Sequence, residues 1–271
     1  MFQGNTYLIT GASADSEIGL AICRLLAGEG ARLILAGRRE SALQETADIL
    51  AQIPNDTSVY PAPTESDVTN TAASNKHIVA PVDLDHLEQI KPWFTALVKE
   101  HGPLDGLVHS ASFQGYTPLR AITPTQIQNY LNVNVSAAIL LLSSLIKKGQ
   151  HAPNAAAVLV SSVAGAKGLK ARTLYAASKA ALNSVTQSVA LEFADKGLRI
   201  NAVAPGLVDG VKAQEQFALL TPYQVEALQR AHPLGLVSPE DVASAVCYLL
   251  SPSSGKMTGT IVPVDGGFLA Q

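Results

Sequence analysis

The sequence predicts a single α/β domain, spanning residues 1–271, in which helices cover both faces of a doubly wound parallel sheet of about seven strands. Short aliphatic runs typical of strands alternate along the chain with segments whose apolar residues recur at helical spacing. Each alternation is a βαβ unit, whose strands are parallel and whose crossover is right-handed. With 271 residues, of which 47% are hydrophobic and 15% charged, the chain can bury one large core.

Composition excludes several classes of protein. The net charge of −3 gives no reason to expect nucleic acid or an anionic membrane surface as a partner. The two cysteines, Cys23 and Cys247, lie in helix-like apolar patterns and are expected to be buried thiols in a reducing compartment. Because no basic leader or long apolar run precedes the first strand, we expect a cytoplasmic protein.

The first forty residues predict a βαβ unit, with a strand at Thr6–Thr10, a helix at 18–26 and a strand at 31–36. The turn TGASADSEIG joins the first strand to the helix, at the place where a dinucleotide pyrophosphate would meet a helix N-terminus. In it, Gly11 and Gly19 permit a tight turn and a close backbone approach, and Ser13 offers a hydroxyl. An ordinary strand-to-helix turn is the alternative interpretation.

The second strand is followed by Gly37, Arg38 and Arg39. In a doubly wound sheet, an acidic residue at this point would hold the ribose 2′-hydroxyl of NAD, whereas an arginine would accept the 2′-phosphate of NADP. Glycine occupies the place of the acid and two arginines follow, which favours NADP over NAD. Alternatively, both arginines are solvated residues at the start of a helix.

The remaining segments continue the alternation. Further strands are predicted at 77–82, 104–109, 155–160, 198–202 and 260–264, and further helices at 84–100, 123–148, 175–196 and 238–250. Residues 53–76 form a polar surface insertion, and residues 205–232 a segment that covers the substrate cleft. The helix at 123–148 contains Asn132 and Asn134, and an inward-facing asparagine there would need a polar partner or a water. His109 ends a strand, where a structural role is expected.

The spacing of a tyrosine and a lysine indicates a possible catalytic group. Tyr175 and Lys179 are four residues apart, so on a helix they share one face. A nearby ammonium group favours the phenolate, and lowering a tyrosine pKa from 10 to neutrality requires about 4 kcal/mol. Ser162, at a strand end, can donate a hydrogen bond to a substrate oxygen. Such a set suits carbonyl reduction or alcohol oxidation, although a Tyr–Lys pair at this spacing also arises by chance.

These motifs, in this order, resemble the short-chain dehydrogenase/reductase family along nearly the whole chain. The matching residues are Thr10-Gly11, Asp83, Asn134, Ser162, Tyr175 with Lys179, the NAVAPG segment at 201–206 and the VDGG segment at 264–267. The tail, from HPLG through SPEDVA to MTGTIVPVDGG, is most similar to bacterial 3-oxoacyl-(acyl-carrier-protein) reductases. The resemblance implies a Rossmann-type fold and a nicotinamide cofactor.

The resemblance implies four catalytic roles. Tyr175 would be the general acid in reduction and the base in oxidation, Lys179 would lower its pKa and bind the nicotinamide ribose, and Ser162 would polarise the carbonyl. Asn134 would hold a water that links Lys179 to solvent. The expected cofactor contacts are Gly11, Ser13, Ile18, Gly19, Arg38, Arg39, Asp83, Leu84, Ala111, Tyr175, Lys179, Pro205, Gly206 and Val208, and no metal site is expected.

Three departures from the family pattern are visible. The loop TGASADSEIG is two residues longer than TGxxxGIG, nearer the spacing of bacterial enoyl reductases, and places Glu17 at the middle glycine. A carboxylate there would repel a pyrophosphate unless it points away. The family's NNAG is replaced by the residues HSAS at 109–112, and Asp209 stands near the place of a threonine.

The sequence therefore predicts an NADP-dependent oxidoreductase that acts on a carbonyl or secondary alcohol, with a 3-oxoacyl thioester or related ketone as a candidate substrate. The alternatives are a catalytically silent NADP-binding sensor and an NAD-dependent alcohol or sugar dehydrogenase. The helices predicted at 123–148 and 173–196 have more apolar positions than one buried stripe requires. We therefore expect a homo-oligomer, a tetramer ahead of a dimer, unless the insertion at 53–76 covers these helices instead.

Overall fold

A computed structural model describes residues 1–53 and 77–271, and in these ranges seven parallel strands form one sheet. The strands are β1 (Thr6–Thr10), β2 (Arg32–Gly37), β3 (Ile78–Pro81), β4 (Leu104–His109), β5 (His151–Val160), β6 (Arg199–Pro205) and β7 (Ile261–Val264). Their order is β3-β2-β1-β4-β5-β6-β7, which confirms the predicted doubly wound sheet. Except for Ile53, the polar insertion predicted at 53–76 lies outside the described residues.

Successive residues of a strand point to opposite faces of the sheet, and both faces are covered. In β1, Tyr7 and Ile9 belong to one apolar cluster, whereas Leu8 belongs to the cluster on the other face. Every residue of β1 is buried, which explains why its sequence, TYLIT, is a nearly continuous apolar run rather than an alternating one. The sheet is therefore the middle layer of three.

The helices of the outer layers follow from where these clusters lie. The first cluster contains residues of α1 (Glu17–Gly28), α2 (Glu40–Leu50) and α9 (Pro239–Leu250). The second contains residues of α3 (Leu87–His101), α5 (Ala137–Leu145) and α6 (Thr173–Phe193). Three shorter helices, α4 (Pro124–Leu131), α7 (Val211–Phe217) and α8 (Pro222–Arg230), follow β4 and β6.

Two predicted helix starts are confirmed by their caps. At α4, the Thr123 hydroxyl accepts a hydrogen bond from the Gln126 N–H, and Pro124 occupies the first turn. At α9, Ser238 and Asp241 form the equivalent capping box. Each box satisfies N–H groups that would otherwise lack a partner at the helix start. By contrast, α3 begins at Leu87, three residues later than predicted.

The prediction of a single helix at 123–148 is wrong. It is divided into α4, a π-helical turn at Asn132–Ser136 and α5, which ends at Leu145. The turn carries Asn134, whose buried side chain bonds to groups outside the helix. Asparagine competes for hydrogen bonds in this way, and π turns occur where one extra residue is accommodated.

Two further features concern the whole chain. Cys23 and Cys247 are free and buried, as predicted, and burial raises the pKa of both thiols. Within residues 1–53 and 77–271, no helix has both the length and the apolar character needed to cross a membrane.

Candidate active site

The predicted site residues come together at the carboxyl ends of the strands. Gly11 follows β1, Arg38 follows β2, Ala111 lies just beyond β4, and Ser162 and Gly206 lie beyond β5 and β6. The strand ends are level, because Thr10 pairs with both Ala36 and His109, and Val160 pairs with Val203. In open α/β sheets, ligands bind in the crevice outside this edge.

The predicted Ser–Tyr–Lys group is assembled by the loop between β5 and α6. Helix α6 begins at Thr173, so Tyr175 lies in its first turn and Lys179 one turn further along. The Ser162 side chain lies close enough to the Tyr175 phenol to act on its pKa, in the direction that lowers it. The Lys179 ammonium lies 5.5 Å from the centroid of the Tyr175 ring and donates a hydrogen bond of 2.8 Å to the carbonyl oxygen of Val160.

Burial controls the ionisation of both groups. The pKa of Tyr175 is raised, because burial outweighs the Ser162 hydrogen bond and the positive charge of Arg172. Burial lowers the pKa of Lys179 to about 7, so this side chain is only partly charged at neutral pH. In the protein alone the net direction is therefore upward, set by burial, and the predicted lowering of the Tyr175 pKa by Lys179 stays a prediction.

Asn134 joins two parts of the site. Its carbonyl oxygen accepts a 2.6 Å hydrogen bond from the N–H of Phe113, and its amide nitrogen donates to the carbonyl oxygen of Phe113 and to the Ser178 hydroxyl, both at 2.9 Å. Ser178 in turn donates to the carbonyl oxygen of Tyr175 at 2.8 Å. Asn134 therefore fixes the segment after β4 against the first turns of α6. Its role in a proton relay stays a prediction.

His109 is buried at the end of β4, beneath this group. Its Nδ1 lies 3.0 Å from the Thr10 hydroxyl, which also accepts a hydrogen bond from the N–H of Ala111. Burial and the nearby Lys179 lower the pKa of His109 to about 3, so it is neutral at physiological pH. These contacts connect β1 to β4, in keeping with the predicted structural role.

The glycine loop has the close contacts that a nucleotide cradle requires. Gly11 has a positive φ of 70°, and a Cβ there would come within 2.7 Å of the backbone nitrogen of Ala111. A side chain at Gly19 would collide with the carbonyl oxygen of Gly11. The Ser16 side chain does not cap helix α1, so N–H groups at the helix start remain available to an anion. These features fit a dinucleotide pyrophosphate.

Glu17 does not face the cradle. Its carboxylate accepts a hydrogen bond from the backbone N–H of Val211, the first residue of α7. A side chain at Gly210 would collide with the same carboxylate. The lengthened loop therefore contacts the predicted cover segment, an interaction between residues 194 positions apart that sequence reasoning missed.

The two arginines after β2 differ in their contacts. Arg39 Nη2 lies 2.6 Å from both carboxylate oxygens of Asp15, a residue of the glycine loop. Arg38 is exposed and forms no ion pair within residues 1–53 and 77–271. Arg38 and Arg39 both lie where the 2′-phosphate of NADP was predicted to bind, but Asp15 would compete with the phosphate for Arg39.

The other predicted cofactor residues border the same crevice. Asp83 accepts a hydrogen bond from the Asp85 N–H, whereas the Leu84 and Ile18 side chains pack in the apolar clusters. Beyond β6, the N–H of Gly206 donates to the carbonyl oxygen of Val264, and Val208 pairs with Val237. Ser13 forms a turn with Ser16, and Pro205 ends β6.

Arg172 is a site residue that the sequence analysis missed. Its guanidinium carbon lies 3.6 Å from the centroid of the Tyr116 ring and 5.2 Å from that of Tyr175. The available signal was its position three residues before Tyr175, which places it about one helical turn away. The segment after β4 supplies Tyr116 and also Phe113, whose ring packs edge-on against Tyr130 at 4.9 Å.

Comparisons with known proteins agree with this architecture. A family model described as Enoyl-(Acyl carrier protein) reductase matches residues 59–269. The chain is 30% identical over 267 residues to a 3-oxoacyl-[acyl-carrier-protein] reductase of Rickettsia felis, covering 98% of this chain and 97% of that protein. It is 29% identical over 272 residues to the cis-4-hydroxycyclohexanecarboxylate dehydrogenase of Sinomonas cyclohexanicum, covering 99% and 98%. Levodione reductase of Leifsonia aquatica is 26% identical over 275 residues, covering 98% and 94%.

Two solved structures show the same fold at lower sequence identity. A mutant short-chain dehydrogenase/reductase of Serratia marcescens superposes with a TM-score of 0.80 at 22% identity, covering 98% of each chain. A short-chain type dehydrogenase/reductase from Mycobacterium ulcerans superposes with a TM-score of 0.83 at 24% identity, covering 100% of this chain and 91% of that one.

Proposed function

From the premise that the chain belongs to the short-chain dehydrogenase/reductase family, we propose that it is an NADP-dependent oxidoreductase of ketones and secondary alcohols. Enzymes of this family act on carbonyl and CH–OH groups with NAD or NADP. The observation that carries the proposal is that Ser162 and Tyr175 lie together beyond the carboxyl end of β5, with Lys179 one helical turn further along α6.

Each of these side chains has a task that its surroundings support. When bound, the cofactor supplies a hydride to the carbonyl carbon or accepts one from the alcohol carbon. Tyr175 gives its phenolic proton to the carbonyl oxygen in reduction and takes a proton in oxidation, and Ser162 donates a hydrogen bond to the same oxygen. Tyr175 carries its phenolic proton before reaction, as reduction requires, and because burial raises its pKa, the charge left when the proton departs must be stabilised by a neighbouring group.

Lys179 stabilises the tyrosinate that forms as the proton leaves. An ammonium within a turn of the phenol favours the charged oxygen, and the attraction is stronger because Lys179 is buried. Because burial lowers the pKa of Lys179 to about 7, the positive charge is most fully present below neutral pH. Lys179 would also hold the nicotinamide ribose, and Asn134 would position α6 through Ser178.

The preference for NADP rests on the end of β2. Gly37 stands where an acidic residue would select NAD, and Arg38 and Arg39 follow it. The pyrophosphate would lie on the start of α1 beside Gly11 and Gly19. Asp83, Ala111, Pro205, Gly206 and Val208 would border the remainder of the cofactor.

The proposed substrate is a ketone, with a 3-oxoacyl thioester or a related compound as candidate. The relatives at 26–30% identity are named for a 3-oxoacyl group, for levodione and for a hydroxycyclohexanecarboxylate. The curated relatives thus share the reacting group and differ in the rest of the molecule.

The proposal is tested by replacing Tyr175 with phenylalanine. We expect Tyr175→Phe to abolish NADPH oxidation across a panel of ketones while NADPH binding stays nearly unchanged, because the phenolic proton is needed only in the chemical step. Lys179→Ala should reduce both turnover and cofactor affinity. Retention of most activity in Tyr175→Phe would overturn the assigned role, and a wild type that binds NADPH but reduces no ketone would favour the silent sensor.

A further inference from the structure

An arginine side chain lies beside the proposed catalytic tyrosine. Arg172 is half-buried, and its guanidinium carbon lies 5.2 Å from the centroid of the Tyr175 ring. Within residues 1–53 and 77–271, no carboxylate comes within 4.0 Å of its nitrogens. Its hydrogen bond to the carbonyl oxygen of Gly115 is long, at 3.4 Å, and among the described residues most of its N–H donors have no acceptor.

Neither the helix nor the aromatic neighbour accounts for this charge. Arg172 precedes the first residue of α6 but makes no side-chain capping hydrogen bond. A positive charge at a helix N-terminus is unfavourable, because it opposes the helix macrodipole. Tyr116, on which the guanidinium stacks, is 46% exposed, and cation–π contacts at exposed sites are weak. In the absence of a ligand, the position of Arg172 is therefore electrostatically unfavourable.

The positive charge of Arg172 influences the ionisation of the tyrosines around it. The positive charge of Arg172 opposes the burial effects that raise the pKa values of Tyr175 and Tyr130. The rings of Phe113, Tyr116 and Tyr130 lie around the same place, and Tyr130 and Phe113 pack edge to face. The surroundings therefore combine aromatic surface with one unpaired guanidinium next to the phenol that protonates a carbonyl.

We propose that Arg172 binds a carboxylate of the substrate, so that the enzyme prefers oxo acids and hydroxy acids to neutral compounds of the same skeleton. This rests on the proposed function, because it places the carboxylate beside the phenol that acts on the carbonyl. It favours a free oxo acid over the 3-oxoacyl thioester, since a thioester has no carboxylate at the acyl carbon. A guanidinium offers paired N–H donors that match the two oxygens of a carboxylate. Since Arg172 and Tyr175 are close, only a few bonds separate the carboxylate from the reacting carbonyl.

The test compares each acid with its neutral ester. The acids would be acetoacetate, levulinate and an oxocyclohexanecarboxylate, each compared with its methyl ester. Their kinetics as substrates would be measured with NADPH, and their affinities for the NADPH complex would be measured by calorimetry. We expect at least one acid to have a kcat/KM and an affinity about tenfold or more above those of its ester. Arg172→Gln should remove this preference while leaving NADPH binding unchanged, and Arg172→Lys should restore part of it.

Lys170 provides the matched control, since it is an exposed cation on the same loop. Lys170→Gln should leave the preference for acids intact; an equal loss in both variants would show a general effect of surface charge and overturn the proposal. Equal binding of every acid and its ester by the wild type would overturn it as well. If the acids bind more tightly through Arg172 but no compound is reduced, the substrate site stands and the proposed catalytic function fails.

Discussion

At the scale of single residues, desolvation outweighs attraction in the proposed catalytic group. Tyr175 and Lys179 both lie where the charged form is disfavoured, because burial raises the pKa of the first and lowers that of the second. A separation of 5.5 Å between ammonium and ring does not reverse this effect. The site therefore holds a proton donor and a lysine that titrates near neutral pH.

This balance predicts how stability depends on pH. The pKa of Lys179 is about 7 in the folded protein against an ordinary 10.5, so between these values the unfolded chain binds more protons. Stability must then rise with pH in that window, by about 1–2 kcal/mol from about pH 7 to about pH 8.5. Above that range the rise in stability should diminish. Burial raises the pKa of Cys23 and Cys247 in the folded protein, so at higher pH their thiols lose protons first in the unfolded chain, which favours unfolding.

Urea unfolding of Lys179→Met across this range checks the prediction. Methionine is a long apolar side chain that cannot titrate, so the rise in the free energy of unfolding should largely disappear. The same change at the exposed Lys147 should leave the rise as it is in the wild type. An unaltered pH dependence in Lys179→Met would mean that another group is responsible.

At the scale of elements, the lengthened loop before α1 makes contacts in two directions. Asp15 pairs with Arg39 beyond β2, and Glu17 bonds to the N–H of Val211 at the start of α7. Both carboxylates are thereby bonded to groups outside the loop. Through Asp15 and Glu17, the loop thus connects the proposed adenosine end of the site with the predicted cover segment.

Cofactor choice should follow from the end of β2. Charge-assisted contacts to a phosphate contribute about 1.5–3 kcal/mol, so the double variant Arg38→Ala, Arg39→Ala should bind NADPH about ten- to a hundredfold more weakly. NADH, which lacks the phosphate, should bind as before. Fluorescence titration of both cofactors provides the measurement.

Asp15→Asn is the matched variant for the same experiment. Because Asp15 competes for Arg39, removing its charge should strengthen NADPH binding and leave NADH binding nearly constant. A wild type that binds NADH as tightly as NADPH would show that the arginines do not select the cofactor.

At the scale of the whole molecule, the outer helices leave apolar side chains exposed. Ile127 and Leu131 on α4 and Ile139 on α5 are 41–44% exposed, and Leu191 on α6 is 83% exposed. The other exposed positions of α6 are the small residues Thr173, Ala177, Ala180, Ser184 and Ser188 together with Gln187 and Glu192. Small residues permit close approach of a second copy of the chain, and β7 lies at the edge of the described sheet, where a further contact is possible.

We therefore expect a homo-oligomer, a tetramer ahead of a dimer, with α4, α5 and α6 at its main interface. Light scattering should return a multiple of 28.3 kDa, and the double variant Ile139→Asp, Leu191→Arg should return a smaller mass. Leu234→Lys, at a side chain that is 90% exposed elsewhere, should not change the mass. A wild-type mass of 28.3 kDa at micromolar concentrations would contradict the expectation.

The sequence by itself determined the order of the strands along the chain and the edge of the sheet at which the predicted site residues lie. Strand and helix periodicities are local, so β1, β4 and the start of α9 could be located from neighbouring residues alone. Parallel strands bring their carboxyl ends together, which placed Gly11 and Ser162 at one edge without knowledge of any contact.

Only the tertiary structure decided the interactions between residues distant in sequence. The π turn at Asn132–Ser136 accompanies hydrogen bonds from Asn134 to Phe113 and Ser178, and no local pattern records those partners. The stacking of Arg172 on Tyr116 and the net direction of the Tyr175 pKa were equally inaccessible. The pKa of a side chain depends on its burial and on the charges of all surrounding groups, most of which lie on other elements. Periodicity, by contrast, depends only on neighbours along the chain.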